Sequence, residues 1–524
     1  MSTSWRCGRM ESLERRQLLA GDPQIIGGKS FDAAYHVATD SAGNRIVAGI
    51  FSVTVDFDPT SGVSKLTAKG ETDLYIAKYS ADDKLIWVRQ YGGGAGEIAE
   101  KKLYDVSQAT VGEFENAAGP GYQGIGEFIN TLVIGADDSI VFGGSYQGTM
   151  DFNPLSSTTG NVRSAGYQDG FVCKLDSSGS TVWYSTIAGP FNDVVKSIAL
   201  DSSGNVAVTG YFTRSADFNP GKKKLIIDAI GRDDIFVQKL FGSNGSLDWT
   251  VTAGGDAVGL QDRDAGEGIA VDSHNNLLVT GSFAGKVDFA PGKGTLIVKS
   301  QADTDGFIWQ LSPKGKMARI QSFGGKSWDS GNRIAIDSSN NAYIAGYFSK
   351  TADLDPTSAL NNFRAADDND FNGVNTDIFA LKQDASGRTV WITQLAGDGY
   401  EYLGDATLLS DSAFALTGGF AGQLKVGSAS AITSVKGEDK FEDHNSRDFS
   451  YDAFFTTLSP GKGEVNRLEF YGSTSDDFAL GVMEVSVITG RFKGTVNFGN
   501  ATNPVNRKSN GQDDGFLLDL ILIL

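Results

Sequence analysis

Histidine and cysteine are nearly missing from this 524-residue chain, with three of the first and two of the second. His36, His274 and His444 show no ligand-like spacing, which argues against a zinc site or a histidine-based catalytic centre. Cys7 and Cys173 are too few and too distant in sequence for a disulfide framework. Cys173 lies instead in a strand-like run, 170–175, where a small buried residue is expected. Helix-period apolar stripes are hard to find after residue 30. No apolar run is long enough to span a bilayer; the tail 517–524 is short and interrupted by Asp519. Positive charge is outweighed, 45 basic residues against 64 acidic, for a formal charge of -19. Such a surface repels polyanions, which sets aside nucleic acid and anionic membranes as partners. A cationic ligand, a metal ion or a neutral glycan stays open, and solubility in a salty exterior is the plain reading.

Glycine, by contrast, is abundant at 66 residues against 11 prolines, and it recurs by rule. Seven times a Gly is followed two positions later by an aromatic: Gly49/Phe51, Gly144/Tyr146, Gly210/Phe212, Gly281/Phe283, Gly346/Phe348, Gly418/Phe420 and Gly490/Phe492. An apolar run precedes each, and Asp-[Phe or Leu]-x-Pro follows the first five. A period of roughly 65–72 residues, broken once by an insertion, marks an array in which each unit completes its neighbour.

The third copy, from Val194 to Gly255, shows the unit. Two apolar runs flank the turn Ser202-Ser203-Gly204-Asn205, a hairpin signal; the turn recurs after Asp40, Asp272 and Asp337. A third strand begins at Asp234, matched by Asp73, Asp169, Asp305, Asp377, Asp452 and Asp514. A fourth surrounds Trp249 and ends in Gly254-Gly255. Four antiparallel strands per repeat make one propeller blade, so the expected fold is an all-β, seven-bladed β-propeller over residues 23–524. The last copy lacks its fourth strand, and Gln24-Ile25-Ile26-Gly27-Gly28 supplies one. The predicted closure pairs that N-terminal strand onto the last blade and removes the exposed sheet edges.

The phrases Asp-Phe-Asn-Pro, Asp-Gly-Phe-Val-x-Lys-Leu, Ser-Gly-x-x-x-Trp and Gly-Gly resemble the bacterial seven-bladed β-propeller repeat family. The sixth and seventh copies depart from it, with Leu424-Lys-Val-Gly and Val496-Asn-Phe-Gly in place of Asp-Phe-x-Pro. Arg319 and Arg467 stand where other copies have Trp. The resemblance implies the fold and an extracytoplasmic setting, secreted or at the cell surface, but no reaction. Residues 10–22, within a leader expected over 1–22, resemble the Leu-Glu-Pro-Arg…Leu-Leu tag of many planctomycete surface or exported proteins, with Arg15 in place of Pro.

Strand polarity sorts the loops. The short Asp-Ser-x-Gly-Asn turns fall on one face, and insertions at about 94–123, 361–376 and 436–451 fall on the other. Loops of that length are functional or disordered, so the acidic insertion-bearing face is expected to bind a partner, a protein or a glycan. Its sharpest motif is Asp368-x-Asp370-x-Asn372-Gly373, followed by Asp377. Oxygen ligands at alternate positions before a turn Gly fit the front of a calcium loop, although position 12 is Phe379 rather than Glu. An Asx-rich solvated loop is the competing account. Asp56, Asp151, Asp217, Asp288 and Asp353 read as scaffold, each satisfying the same backbone donors in its copy. The leading expectation is therefore a non-enzymatic, monomeric binding propeller, possible calcium being its one cofactor. The alternative is a carbohydrate-active or ester-cleaving enzyme with carboxylates at the channel mouth.

Overall fold

A computed structural model describes residues 24–93, 127–157, 160–221, 223–255, 264–290, 294–357, 361–365, 376–397, 401–420, 423–427, 433–436, 451–472, 477–483, 487–498, 505–510 and 513–519. The fold is all-β, with no helix among the described residues. Blade 1 shows the unit: Asp32–Thr39, Arg45–Phe51, Asp73–Tyr79 and Leu85–Tyr91 pair antiparallel in that order. The two middle strands are buried along their whole length, because the sheets of adjacent blades cover both faces. The fourth strand is the half-exposed rim.

Six more such sheets follow. Their inner strands are Phe128–Ile134, Asp193–Leu200, Ala265–Val271, Ser330–Ile336, Glu401–Leu408 and Phe478–Met483. Each packs on the inner strands before and after it, and Phe478–Met483 packs back on Asp32–Thr39. The seven blades therefore form a closed ring around a central channel. Closure follows the expected route: Gln24–Ile26 pairs with Asp514–Asp519, Gln24 opposite Leu517 and Ile26 opposite Gly515.

The blade carries one device that the four-strand reading does not contain. After the Gly-x-aromatic phrase the chain makes a short flap hairpin, such as Thr54–Asp56 against Lys65–Thr67. In several blades the flap also pairs with the end of the preceding blade's fourth strand, as Gly255 with Val287, Gly325 with Ala352 and Gly397 with Leu424. In blades 3 and 4 flap and blade merge into the long strands Ile226–Leu240 and Ile297–Leu311.

The flap explains the repeat's strongest words. Asp288 Oδ1 accepts the backbone N–H groups of Ala290 and Leu296 at 3.0 and 2.8 Å, and Asp56, Asp217 and Asp353 do the same two and eight residues on. The aromatic after that Asp meets the aromatic of Gly-x-Phe edge to face. Phe283 and Phe289 lie 5.5 Å apart at 90°, and Phe51/Phe57, Tyr146/Phe152 and Phe212/Phe218 repeat the geometry.

Every seam between blades also buries two acids. One stands at the start of an inner strand: Asp32, Glu127, Asp193, Asp264, Asp329, Glu401 and Asp477. The other heads the third-strand segment of the preceding blade: Asp514, Asp73, Asp169, Asp234, Asp305, Asp377 and Asp452.

Candidate functional site

The turns joining the first and second strands are built by one carboxylate each. Asp201 Oδ1 accepts the N–H groups of Ser203 and Asn205, and its Oδ2 accepts the amide of Asn205 at 3.0 Å. Asp40, Asp272 and Asp337 repeat the arrangement with Asn44, Asn276 and Asn341. Local hydrogen bonding of this kind is why Asp, Ser and Asn recur there. The turns are also chained from blade to blade. Asn275, at φ 62°, accepts the N–H of Ser202 and donates to its hydroxyl, both at 2.9 Å. Asn340 clasps Ser273 in the same way.

Where the chained turns of blades 3, 4 and 5 meet, they wall an open cavity of about 320 Å³. Its base is formed by the last residues of three inner strands, Leu200, Val271 and Ile336. Seryl, asparaginyl and aspartyl groups of the three turns line it beside these apolar residues.

One substitution within the repeat sets the charge of this mouth. Lys239 approaches Asp201 at 2.8 Å, Lys382 approaches Asp337 at 4.0 Å, and Lys78 pairs with Asp40 at 2.7 Å. In blade 4 the corresponding residue is Gln310, which faces Leu278 as Lys239 faces Ala207 and Lys382 faces Tyr343. Asp272, the middle acid of the three, therefore has no lysine at that position. Burial pushes Asp201 up, but the Lys239 ammonium and Asn205 outweigh it and hold the carboxyl below its ordinary range.

Behind the mouth each inner strand carries one β-bulge at the same place, next to Tyr35, Asn130, Lys196, Glu267, Asn332, Gly404 and Leu480. Beside the bulges, charged groups pair between neighbouring inner strands. Lys196 pairs with Glu267 at 3.4 Å, and Arg333 pairs with Asp405 at 3.0 Å while donating to Gly404 O at 2.7 Å. His36 Nε2 stands 3.4 Å from Ile129 O. Burial, with a further push from Arg333 and a counter-pull from Asp405, lowers its pKa to about 4. The imidazole is neutral at pH 7.

Of the expected calcium ligands, Asp368, Asp370 and Asn372 lie outside the described residues. Asp377 is buried at the head of a third strand and accepts a hydrogen bond from Gln394 at 2.5 Å. The insertions 361–376 and 436–451 are described only at their margins, and the insertion 94–123 and the leader 1–22 lie outside the described residues. No group of three or more metal-ligating side chains gathers among the described residues. Sequence reading placed the binding surface on the insertion-bearing face and so passed over the mouth between the short turns. The signal available was Gln310, which interrupts Lys78, Lys174, Lys239 and Lys382 of the first five copies; Thr457 and Asp519 hold the position in the last two.

No family model matches the chain. An uncharacterised WD repeat-containing protein of Acanthamoeba polyphaga mimivirus is 24% identical over 269 residues, covering 45% of this chain and 19% of that protein. The chain thus spans about a fifth of that relative's length. A quinohemoprotein alcohol dehydrogenase from Comamonas testosteroni aligns with 95% of the chain and 77% of its own, at 10% identity and TM-score 0.35. An ulvan lyase aligns with 93% and 98%, at 12% identity and TM-score 0.38. At such scores the likeness adds nothing to the fold, which stands on its own strand pairing.

Proposed function

We propose that this chain is a non-enzymatic binding propeller that takes a hydroxyl-rich ligand of the glycan class at the mouth over blades 3 to 5. The observation that carries this reading is the cavity between three chained turns, with Asp272 at its centre and Gln310 where the repeat has lysine. Seryl and asparaginyl groups at the rim suit hydroxyls, and an acid without its lysine favours a ligand bearing partial or full positive charge. The carboxylates lining the mouth are hydrogen-bonded into their own turns, an arrangement suited to holding shape rather than passing protons.

The decisive substitution is Gln310→Lys, which restores the lysine found in blades 3 and 5. Arrayed neutral and amino-bearing oligosaccharides are the probes. Binding by the wild-type chain that disappears in Gln310→Lys, with thermal stability unchanged, supports the reading. Binding that ignores the substitution sinks it.

The acidic insertions form a second surface in this proposal, assisted by calcium at Asp368, Asp370, Asn372 and Asp377. A setting outside the cytoplasm is part of the same proposal and rests on the family and leader resemblances. The carbohydrate-active or ester-cleaving alternative has one support, that Asp201, Asp272 and Asp337 do stand at the channel mouth. It predicts product release from oligosaccharide or ester substrates, lost in Asp272→Asn.

A further inference from the structure

The buried acids at the blade seams are arranged in facing pairs. At the seam of blades 4 and 5, Asp329 Oδ2 accepts the N–H of Gly325 at 2.7 Å, from the preceding blade. Its Oδ1 accepts the N–H of Ser349 at 3.2 Å, from its own. Asp264 does the same at the previous seam, with Gly255 at 3.1 Å and Ala284 at 2.8 Å. Each such acid staples one blade to the next.

The opposing aspartates are only half satisfied. Asp305 Oδ2 accepts from Gln301 N at 3.2 Å and Asp234 Oδ2 from Ile230 N at 3.1 Å, while both Oδ1 atoms are buried without a hydrogen-bond partner. Both carboxylates are at most 2% exposed. Gly324 separates the pair at the later seam. A Cβ on it would stand 2.8 Å from Asp305 Oδ1 and 2.9 Å from Asp329 Oδ2, so any side chain there would press on both carboxyls.

The charged groups acting on these acids are other acids. Asp234 and Asp233 act on Asp264, and Asp305 and Asp303 act on Asp329; the remaining partners are backbone N–H groups. At the seam of blades 7 and 1, Asp513 is ion-paired to Arg491 at 2.5 Å. Two buried carboxylates that act on each other across a seam cannot both ionise cheaply.

We propose that the seams of blades 3/4 and 4/5 are proton-sharing carboxyl pairs, in which the stapling acid donates its proton to the orphaned Oδ1 across the seam. Raising the pH releases that proton to water and leaves two facing carboxylates, which repel and loosen the junction. The ring is thereby tight in acid and neutral solution and relaxes in alkali. Burial first, then the neighbouring acids, raises Asp329 to about 8 and Asp264 well above its ordinary value. Burial likewise raises Asp305 to about 7 and Asp234 to about 6. These values lie above those of the unfolded chain, near 4. The stabilisation is therefore full below about pH 4 and is lost as pH rises through the folded values.

Infrared spectroscopy of the full chain tests the proposal directly. A protonated-carboxyl carbonyl band is expected at about pH 7, weakened in Asp264→Asn and in Asp329→Asn and declining in wild type as the pH is raised. The thermal midpoint of the wild-type chain should fall from about pH 6 to about pH 9 at fixed ionic strength, with a flatter profile in Asp305→Asn. Wild type alone decides if the variants do not fold. A missing carbonyl band at pH 7, or a midpoint that does not fall with pH, overturns the proposal.

Discussion

Gly245 of blade 3 lies against the indole of Trp183 in blade 2, where a Cβ would stand 2.5 Å from Cε3. Trp183 Nε1 also donates to the carbonyl of Gly242 at 3.0 Å. Trp249 repeats this contact with Gly315 and Pro313, and Trp391 with Gly463 and Pro460. The tryptophans of the repeat thus pack between blades, Trp183 and Trp391 buried and Trp87 and Trp249 half-buried.

Gly245→Ala should therefore be costly for two reasons, its φ of 68° and the indole. Gly204→Ala is the control, because φ is 73° there but nothing lies within 4 Å. We expect a loss of about 1 kcal/mol at Gly204 and about 2–4 kcal/mol at Gly245 by urea unfolding. Equal losses would mean that the indole shifts freely.

Phe289 is fully buried between Phe283, Phe307 and Trp309. Its replacement by Ala should cost about 3–5 kcal/mol, the usual range for a deleted core aromatic. Phe289→Leu keeps most of the volume and should cost clearly less. Denaturant midpoints of the two variants provide the comparison.

His36 gives a pH dependence of the opposite sign to the seam acids. Its pKa, lowered to about 4 in the fold, lies below the unfolded value near 6.5. Its contribution is present above about pH 6.5 and is lost as pH falls toward about 4. His36→Gln should lessen the acid destabilisation of the chain between those limits, by on the order of 1 kcal/mol. Unchanged acid sensitivity would remove His36 as a cause.

Millimolar calcium, added to chain stripped with EDTA at fixed ionic strength, should raise the thermal midpoint by mass action if the acidic motif holds the ion. Magnesium should not. The rise should vanish in Asp368→Ala combined with Asp370→Ala. No calcium-selective shift would leave the motif a solvated loop.

The parts of the fold legible in the sequence are those that repeat in phase. Gly-x-Phe, Asp-Phe-x-Pro and the strand-starting Asp recur because each makes the same contact in successive blades, as Asp288 and Phe289 do. The closing strand was legible because Gly27-Gly28 repeats Gly254-Gly255. The stapling acids were not. Asp32, Glu127, Asp193, Asp264, Asp329 and Glu401 each stand 17 residues before the repeat's Gly, but the position alternates between Asp and Glu, and spacing alone does not say that an acid there bridges two blades. The bulges left no signal either, since Tyr35, Lys196 and Gly404 have nothing chemical in common. The mouth arises from three turns brought together by the ring, although they are distant in sequence.

Pairing Gln24–Ile26 with Asp514–Asp519 has a consequence for how the molecule is made. During synthesis the strand at Gln24–Ile26 must wait for its partner until roughly 490 further residues have been made. Until then the last blade has no outer strand, and both ends of a growing stack of sheets stay bare. Loop closure over so long a span costs about 5–6 kcal/mol by chain statistics, and it cannot be offset until that final pairing forms. Circular permutants that place new ends at an exposed turn while joining the old ones should shorten the wait, and they would show whether that latch sets the folding rate.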